Sequence, residues 1–129
     1  MKRSIVFVVF VIMTSLFLAG CSAKETAITE DMNGQQVSIK PGDILVVQLP
    51  GNITTGFTWE ADGLDQAILE QQGEAEYKAD SEALGAPGMI TLKFKAVSAG
   101  DTSLKLIYHR TFEKGVAPEK TFEISVNVK

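Results

Sequence analysis

His109 is the only histidine of this 129-residue chain and Cys21 the only cysteine. A metal site built from imidazoles and thiolates needs several such ligands, and a nucleophile needs a base beside it; the sequence offers neither combination. Glu70, Glu74, Glu76, Asp80 and Glu82 form an acidic group, but their spacing does not match a calcium loop and they read as solvated strand and loop charges. Three other segments stand out: Asn52-Ile53-Thr54-Thr55-Gly56-Phe57, Leu84-Gly85-Ala86-Pro87-Gly88 and Tyr108-His109-Arg110-Thr111-Phe112. They are rich in Gly, Thr and aromatic residues and poor in acid–base groups. That composition suits a contact surface and not a reaction centre, so the reading is a protein that is not an enzyme and has no cofactor or metal.

One covalent modification is legible. Lys2 and Arg3 precede an apolar run from Ile5 to Phe17, and Leu18-Ala19-Gly20-Cys21 follows. The run is too short for a comfortable membrane span and ends in small residues, as a signal peptide does. Leu-Ala-Gly-Cys resembles a bacterial lipobox, which implies removal of residues 1–20 and acylation of Cys21. Two or more acyl chains would hold the mature protein on the outer-facing or periplasmic side of a membrane. Removing the leader lowers the twelve Lys and Arg to ten against sixteen acids, a net charge of −6. That balance disfavours nucleic acid and anionic lipid headgroups as partners. Asn52-Ile53-Thr54 also fits a glycosylation pattern, which a bacterial exporter has no use for.

The elements that must position these segments are strands. Ile90, Leu92, Phe94 and Ala96 alternate with more polar neighbours, as do Leu104, Leu106 and Tyr108, and Phe122, Ile124, Val126 and Val128. A period of two with one apolar face predicts half-buried antiparallel strands. Ile44 to Val47, Phe57 to Asp62 and a long stretch from Ala67 to Lys78 bring the count to about seven. Asn33-Gly34 gives a hairpin signal, Pro41-Gly42-Asp43 and residues 98–101 give turns, and Leu49-Pro50 is expected to end a strand. The expected architecture is all-β, an immunoglobulin-like antiparallel sandwich. The division is a leader over 1–20, a lipidated tether over 21–27 and one domain over 28–129. Two strand stretches separate each of the three segments from the next, which returns the chain to the same end and gathers the segments at one pole. Trp59 and Tyr108 alternate into the core, and His109 points outward at a strand end.

The segments resemble the chagasin-type inhibitors of papain-like cysteine peptidases. That family has an Asn-Pro-Thr-Thr-Gly-aromatic loop, a Gly-x-Gly-Gly or Gly-x-x-Gly loop and an Arg-Pro-Trp loop, in that order. Asn52, Ile53, Thr54, Thr55, Gly56 and Phe57 follow the first, with Ile53 at the proline position. Gly85, Ala86, Pro87 and Gly88 follow the second. Arg110, Thr111 and Phe112 follow the third in part, with Thr and Phe replacing Pro and Trp. The likeness runs from about Val37 to Lys129. It implies a monomeric, reversible inhibitor that blocks a peptidase cleft with three loops. The alternative is a surface lipoprotein that serves as a binding or adhesion module on the same scaffold, with no peptidase target.

Overall fold

A computed structural model of the chain describes residues 22–129, so the leader and Cys21 lie outside the described residues. Nine strands follow one another: β1 (Glu25–Thr29), β2 (Gln36–Ile39), β3 (Ile44–Gly51), β4 (Phe57–Ala61), β5 (Leu69–Gln71), β6 (Glu76–Ala79), β7 (Gly88–Ala96), β8 (Gly100–Arg110) and β9 (Lys120–Val128). Short 3-10 turns occupy Glu30–Met32 and Ile53–Thr55. The alternating stretches form the centre of two sheets. One has the order β1-β3-β7-β5, with β6 also on β7, and the other the order β2-β9-β8-β4.

Alternation decides which side chains meet between the sheets. Leu45, Val47, Leu49, Ile90, Leu92 and Phe94 come from the first sheet, and Leu104, Leu106, Phe122, Ile124 and Val126 from the second, all buried in one cluster. Each such side chain contributes roughly 1.5–3 kcal/mol by leaving water. The result is an immunoglobulin-like β-sandwich.

Five details differ from the expectation, each for a physical reason. The sheets are mixed: β1 runs parallel to β3 and β2 parallel to β9. A parallel pair needs a crossover, and β2, which lies in the opposite sheet, supplies it between β1 and β3. Asn33-Gly34 is therefore a turn between sheets and not a hairpin, with Gly34 at φ 81° and the Asn33 side chain accepting from Glu123 N at 2.9 Å. Residues 25–27, read as tether, pair with Ile44 to Val46. Only Ile28 of β1 is buried, so this strand has no alternation to reveal it. Pro50 does not end β3 but pairs with Met89. The neighbour β1 stops opposite Gln48, and a residue lacking an N–H is tolerated where a strand becomes an edge. The stretch from Ala67 to Lys78 splits into β5 and β6, which line the same edge of β7 and are interrupted at Gly73, φ 72°.

Candidate functional site

Strand register brings the three segments together. Gly51, at the end of β3, lies opposite Gly88, at the start of β7, so the first loop (52–56) leaves beside the end of the second (80–87). Phe57, at the start of β4, lies opposite Arg110, at the end of β8, so the first loop returns beside the start of the third (111–119). The first loop crosses from one sheet to the other. The second and third are connections within the first and second sheets respectively, and flank it.

The first loop is a single 3-10 turn held from four directions. Asn52 caps it, its Oδ1 accepting from Thr54 N at 3.1 Å, while its Nδ2 donates to Gly85 O at 2.9 Å and so joins the first loop to the second. Its backbone N–H donates to Tyr108 Oη at 2.9 Å, and Trp59 Nε1 donates to Pro50 O at 3.0 Å. Two core aromatics thus use their polar ends to fix the start of the loop. At the far side Gly56 adopts φ 82°, ψ −2°, the left-handed region that favours glycine, and its N–H donates to Ile53 O at 3.0 Å. Arg110 Nε donates to Thr55 O at 2.9 Å.

Phe57, Trp59, Tyr108 and Arg110 share the inward face of β4 and β8. The Tyr108 ring stacks on Phe57 at 5.2 Å and meets Trp59 at 5.1 Å. The Arg110 guanidinium caps Phe57 at 4.4 Å and pairs with Glu113 at 2.9 Å. Phe57 and Arg110 thus support each other while staying half-buried at the surface, and Arg110 is the last residue of a strand that braces two loops. Ala86 in the second loop and Gly88 at the start of β7 are buried. A Cβ at Gly88 would stand 2.1 Å from Lys78 O, so that glycine permits the close approach of β6 to β7. Tyr77 Oη donates to Ala86 O at 2.7 Å and fixes the loop's base.

What these loops leave outside is apolar. Ile53 is 44% exposed, Leu84 103% and Phe112 70%, one large side chain at the tip of each loop, and Val116 of the third loop adds a fourth. Thr54, Thr55, Gly85, Pro87 and Thr111 are exposed between them. Leu84 and Val116 lie outside the motif positions; the signal for Leu84 in the sequence was an apolar residue within a Gly-Pro turn. Tyr77, Trp59 and Tyr108 as loop supports carry no such signal, because alternation tells which face a ring occupies but not what its polar end reaches. His109 Nε2 contacts Glu60 Oε2 at 2.8 Å beside this pole. Among the described residues no three or more His, Cys, Asp or Glu side chains group as metal ligands.

Such a site binds by shape: a rigid sandwich bears a braced ridge of loops with apolar tips. Comparison with known proteins agrees. The profile of the Chagasin family peptidase inhibitor I42 matches residues 38–126. Amoebiasin-1 of Entamoeba histolytica is 31% identical over 109 residues, 80% of this chain and 99% of its own length. Chagasin of Trypanosoma cruzi is 32% identical over 87 residues, 64% of this chain and 79% of its own. The crystal structure of the cysteine protease inhibitor EhICP2 from Entamoeba histolytica superposes with a TM-score of 0.73 at 25% identity, covering 84% of this chain and 98% of that one. The chain belongs to the chagasin family of peptidase inhibitors, a family of inhibitors and not of enzymes.

Proposed function

We propose that the protein is a reversible, monomeric inhibitor of papain-like cysteine peptidases that fills the active-site cleft with its three loops while held on a membrane by lipid on Cys21. The observation that carries the inhibitory reading is the set of exposed apolar tips, Ile53, Leu84 and Phe112, on a base locked by hydrogen bonds. Exposed apolar side chains on a rigid frame lose little entropy on binding and gain contact area at once. Ile53 to Gly56 enter the catalytic centre, and the residues around Leu84 and Phe112 grip either wall.

The first loop also has a reason to resist cleavage. A peptidase attacks a carbonyl presented in extended backbone to the thiolate of its Cys–His pair. Here the carbonyls of Asn52, Ile53 and Thr55 accept from Thr55 N, Gly56 N and Arg110 Nε within a 3-10 turn. They face internal donors instead of an oxyanion hole.

Titration of papain with soluble protein beginning at Ser22 tests the reading. Stoichiometric loss of activity supports the inhibitor, and full activity at micromolar protein points to a binding or adhesion module. Tyr108→Phe keeps the stacking but removes the acceptor of Asn52 N–H; we expect a loss of about 1 kcal/mol of stability and several-fold weaker inhibition. An unchanged inhibition constant would show that the loop holds its shape without this bond.

The anchor reading rests on Leu18-Ala19-Gly20-Cys21. Cys21→Ser is expected to lose the acyl mass and to leave the membrane fraction or remain unprocessed. A cleaved Cys21→Ser protein retained as well as a wild type that carries no acyl mass would exclude lipid as the anchor.

A further inference from the structure

The third loop is held at its two ends. Glu119 N donates to Tyr108 O at 2.9 Å where the loop rejoins the sheet, and Glu113 N donates to Arg110 O at 3.1 Å where it leaves. The second of these bonds closes a four-residue turn with Thr111 and Phe112 at its centre. Among the described residues no hydrogen bond holds residues 114–118. Packing does not replace them. A cavity of about 180 Å³ lies between loop and sheet, with Glu113 and Val116 on one side and Phe57 and His109 on the other. Phe112, the apolar tip, takes its position from the turn.

The turn has little stiffness of its own. A proline at position 111 would fix φ, whereas Thr111 leaves that angle free. The restraint comes from Glu113, which returns to Arg110 twice. Its backbone N–H closes the turn, and its Oε1 accepts from Arg110 Nη1 at 2.9 Å. Arg110 in turn donates from Nε to Thr55 O at 2.9 Å and lays its guanidinium over Phe57 at 4.4 Å. The guanidinium is a planar fork, so a carboxylate on Nη1 also decides where Nε points. Glu113 is thus one side chain away from a carbonyl of the first loop and one residue away from the tip of the third.

Building on the cleft-filling reading above, we propose that Glu113 is a positioning residue for inhibition. It touches no peptidase. It fixes the turn that carries Phe112 and, through Arg110, the carbonyl of Thr55, so that the first and third loops meet the cleft as one preset surface. The side chains of Arg110 and Glu113 are 36% and 33% exposed, so their pairing adds little to folding stability. Its effect falls on binding. Without the carboxylate, Arg110 and the turn would have to be ordered at the moment of association, and that cost would be taken from affinity.

The test uses the full chain solubilised in detergent, with papain as the probe. Glu113→Ala is expected to inhibit about tenfold more weakly than wild type. Its thermal midpoint should fall by less than about 5 °C. Glu113→Gln keeps an acceptor for Arg110 Nη1 and should recover inhibition to within about threefold of wild type. Arg110→Ala, alone and combined with Glu113→Ala, separates positioning from contact. Once Arg110 is gone, removing the carboxylate should weaken inhibition by less than about threefold more. A full tenfold loss on top of Arg110→Ala overturns the proposal, because the carboxylate would then act on the peptidase directly. A Glu113→Gln protein no better than Glu113→Ala overturns it as well, and so does a large fall in the midpoint of both variants. Wild-type inhibition by Glu113→Ala overturns this role alone, whereas a wild type that leaves papain fully active overturns the cleft-filling reading and this role with it.

Discussion

Gly56→Val is expected to weaken inhibition of a papain-like peptidase by at least about a hundredfold, roughly 2.8 kcal/mol at 1.4 kcal/mol per decade. It should lower the stability of the domain by less than about 2 kcal/mol. The residue closes the 3-10 turn at φ 82°, ψ −2°. A β-branched side chain in the left-handed region is a true outlier and costs of order 1–3 kcal/mol. The added Cβ would also stand 3.1 Å from Phe112 Cε1 and 3.8 Å from Arg110 Cδ. Phe112 is exposed and can swing aside, and the loop can open without disturbing Leu49, Trp59 or Tyr108 beneath it. Relief of strain is therefore local, and it displaces the tips of two binding loops together. Inhibition constants against papain and thermal midpoints, measured side by side, separate the two effects. Wild-type inhibition would place the first loop away from the cleft, and loss of folding would make the turn part of the cooperative core.

The same turn explains how the first loop holds its form with isoleucine where the family has proline. Proline would pre-set φ at that position. Here the restraint comes from outside the residue: Asn52 caps Thr54, bonds Gly85 and is itself held by Tyr108. The third loop, which departs further from the family pattern, is braced by Arg110, between Thr55 O and Glu113.

Much of this was legible in the sequence because it follows from local rules. Alternation at Ile90 to Ala96, Leu104 to Tyr108 and Phe122 to Val128 gives the strand faces, and counting strands between the Gly- and Thr-rich segments places those segments at one end. The parts that were not legible depend on long-range pairing. β1 and β2 are short edge strands whose partners, β3 and β9, are set by the crossover and not by any pattern within Glu25–Thr29 or Gln36–Ile39. The division of labour within the motifs was hidden for a similar reason. Arg110 and Phe57 read as binding residues, and the sequence gives no sign that they also support each other, because register opposes them across β4 and β8. Ala86 and Gly88 read as contacts, yet burial gives them to the loop's base, while Leu84 beside them projects into solvent.

Phe112→Ala bears on the least family-like of the three loops. Its ring is 70% exposed, lies outside the core cluster and passes close to the first loop at Gly56, where an added Cβ would stand 3.1 Å from its edge. An aromatic anchor at an interface typically carries roughly 1–3 kcal/mol when truncated. Inhibition should therefore weaken by about 5- to 150-fold, mainly through faster dissociation. Stability should fall by less than about 1 kcal/mol, because the truncated ring leaves no cavity. Arg110 offers no substitute contact, since its guanidinium is already shared among Phe57, Thr55 O and Glu113. Phe112→Trp enlarges the stacking face and should hold or improve affinity. The three proteins, compared by inhibition constant, dissociation rate and thermal midpoint against one papain-like enzyme, decide the matter. Wild-type affinity in Phe112→Ala would reduce the wedge to its first two loops, with Ile53 and Leu84 as its apolar tips. A large drop in the thermal midpoint would instead mean that the ring folds back over Gly56 in solution, and that the third loop serves the first as a lid.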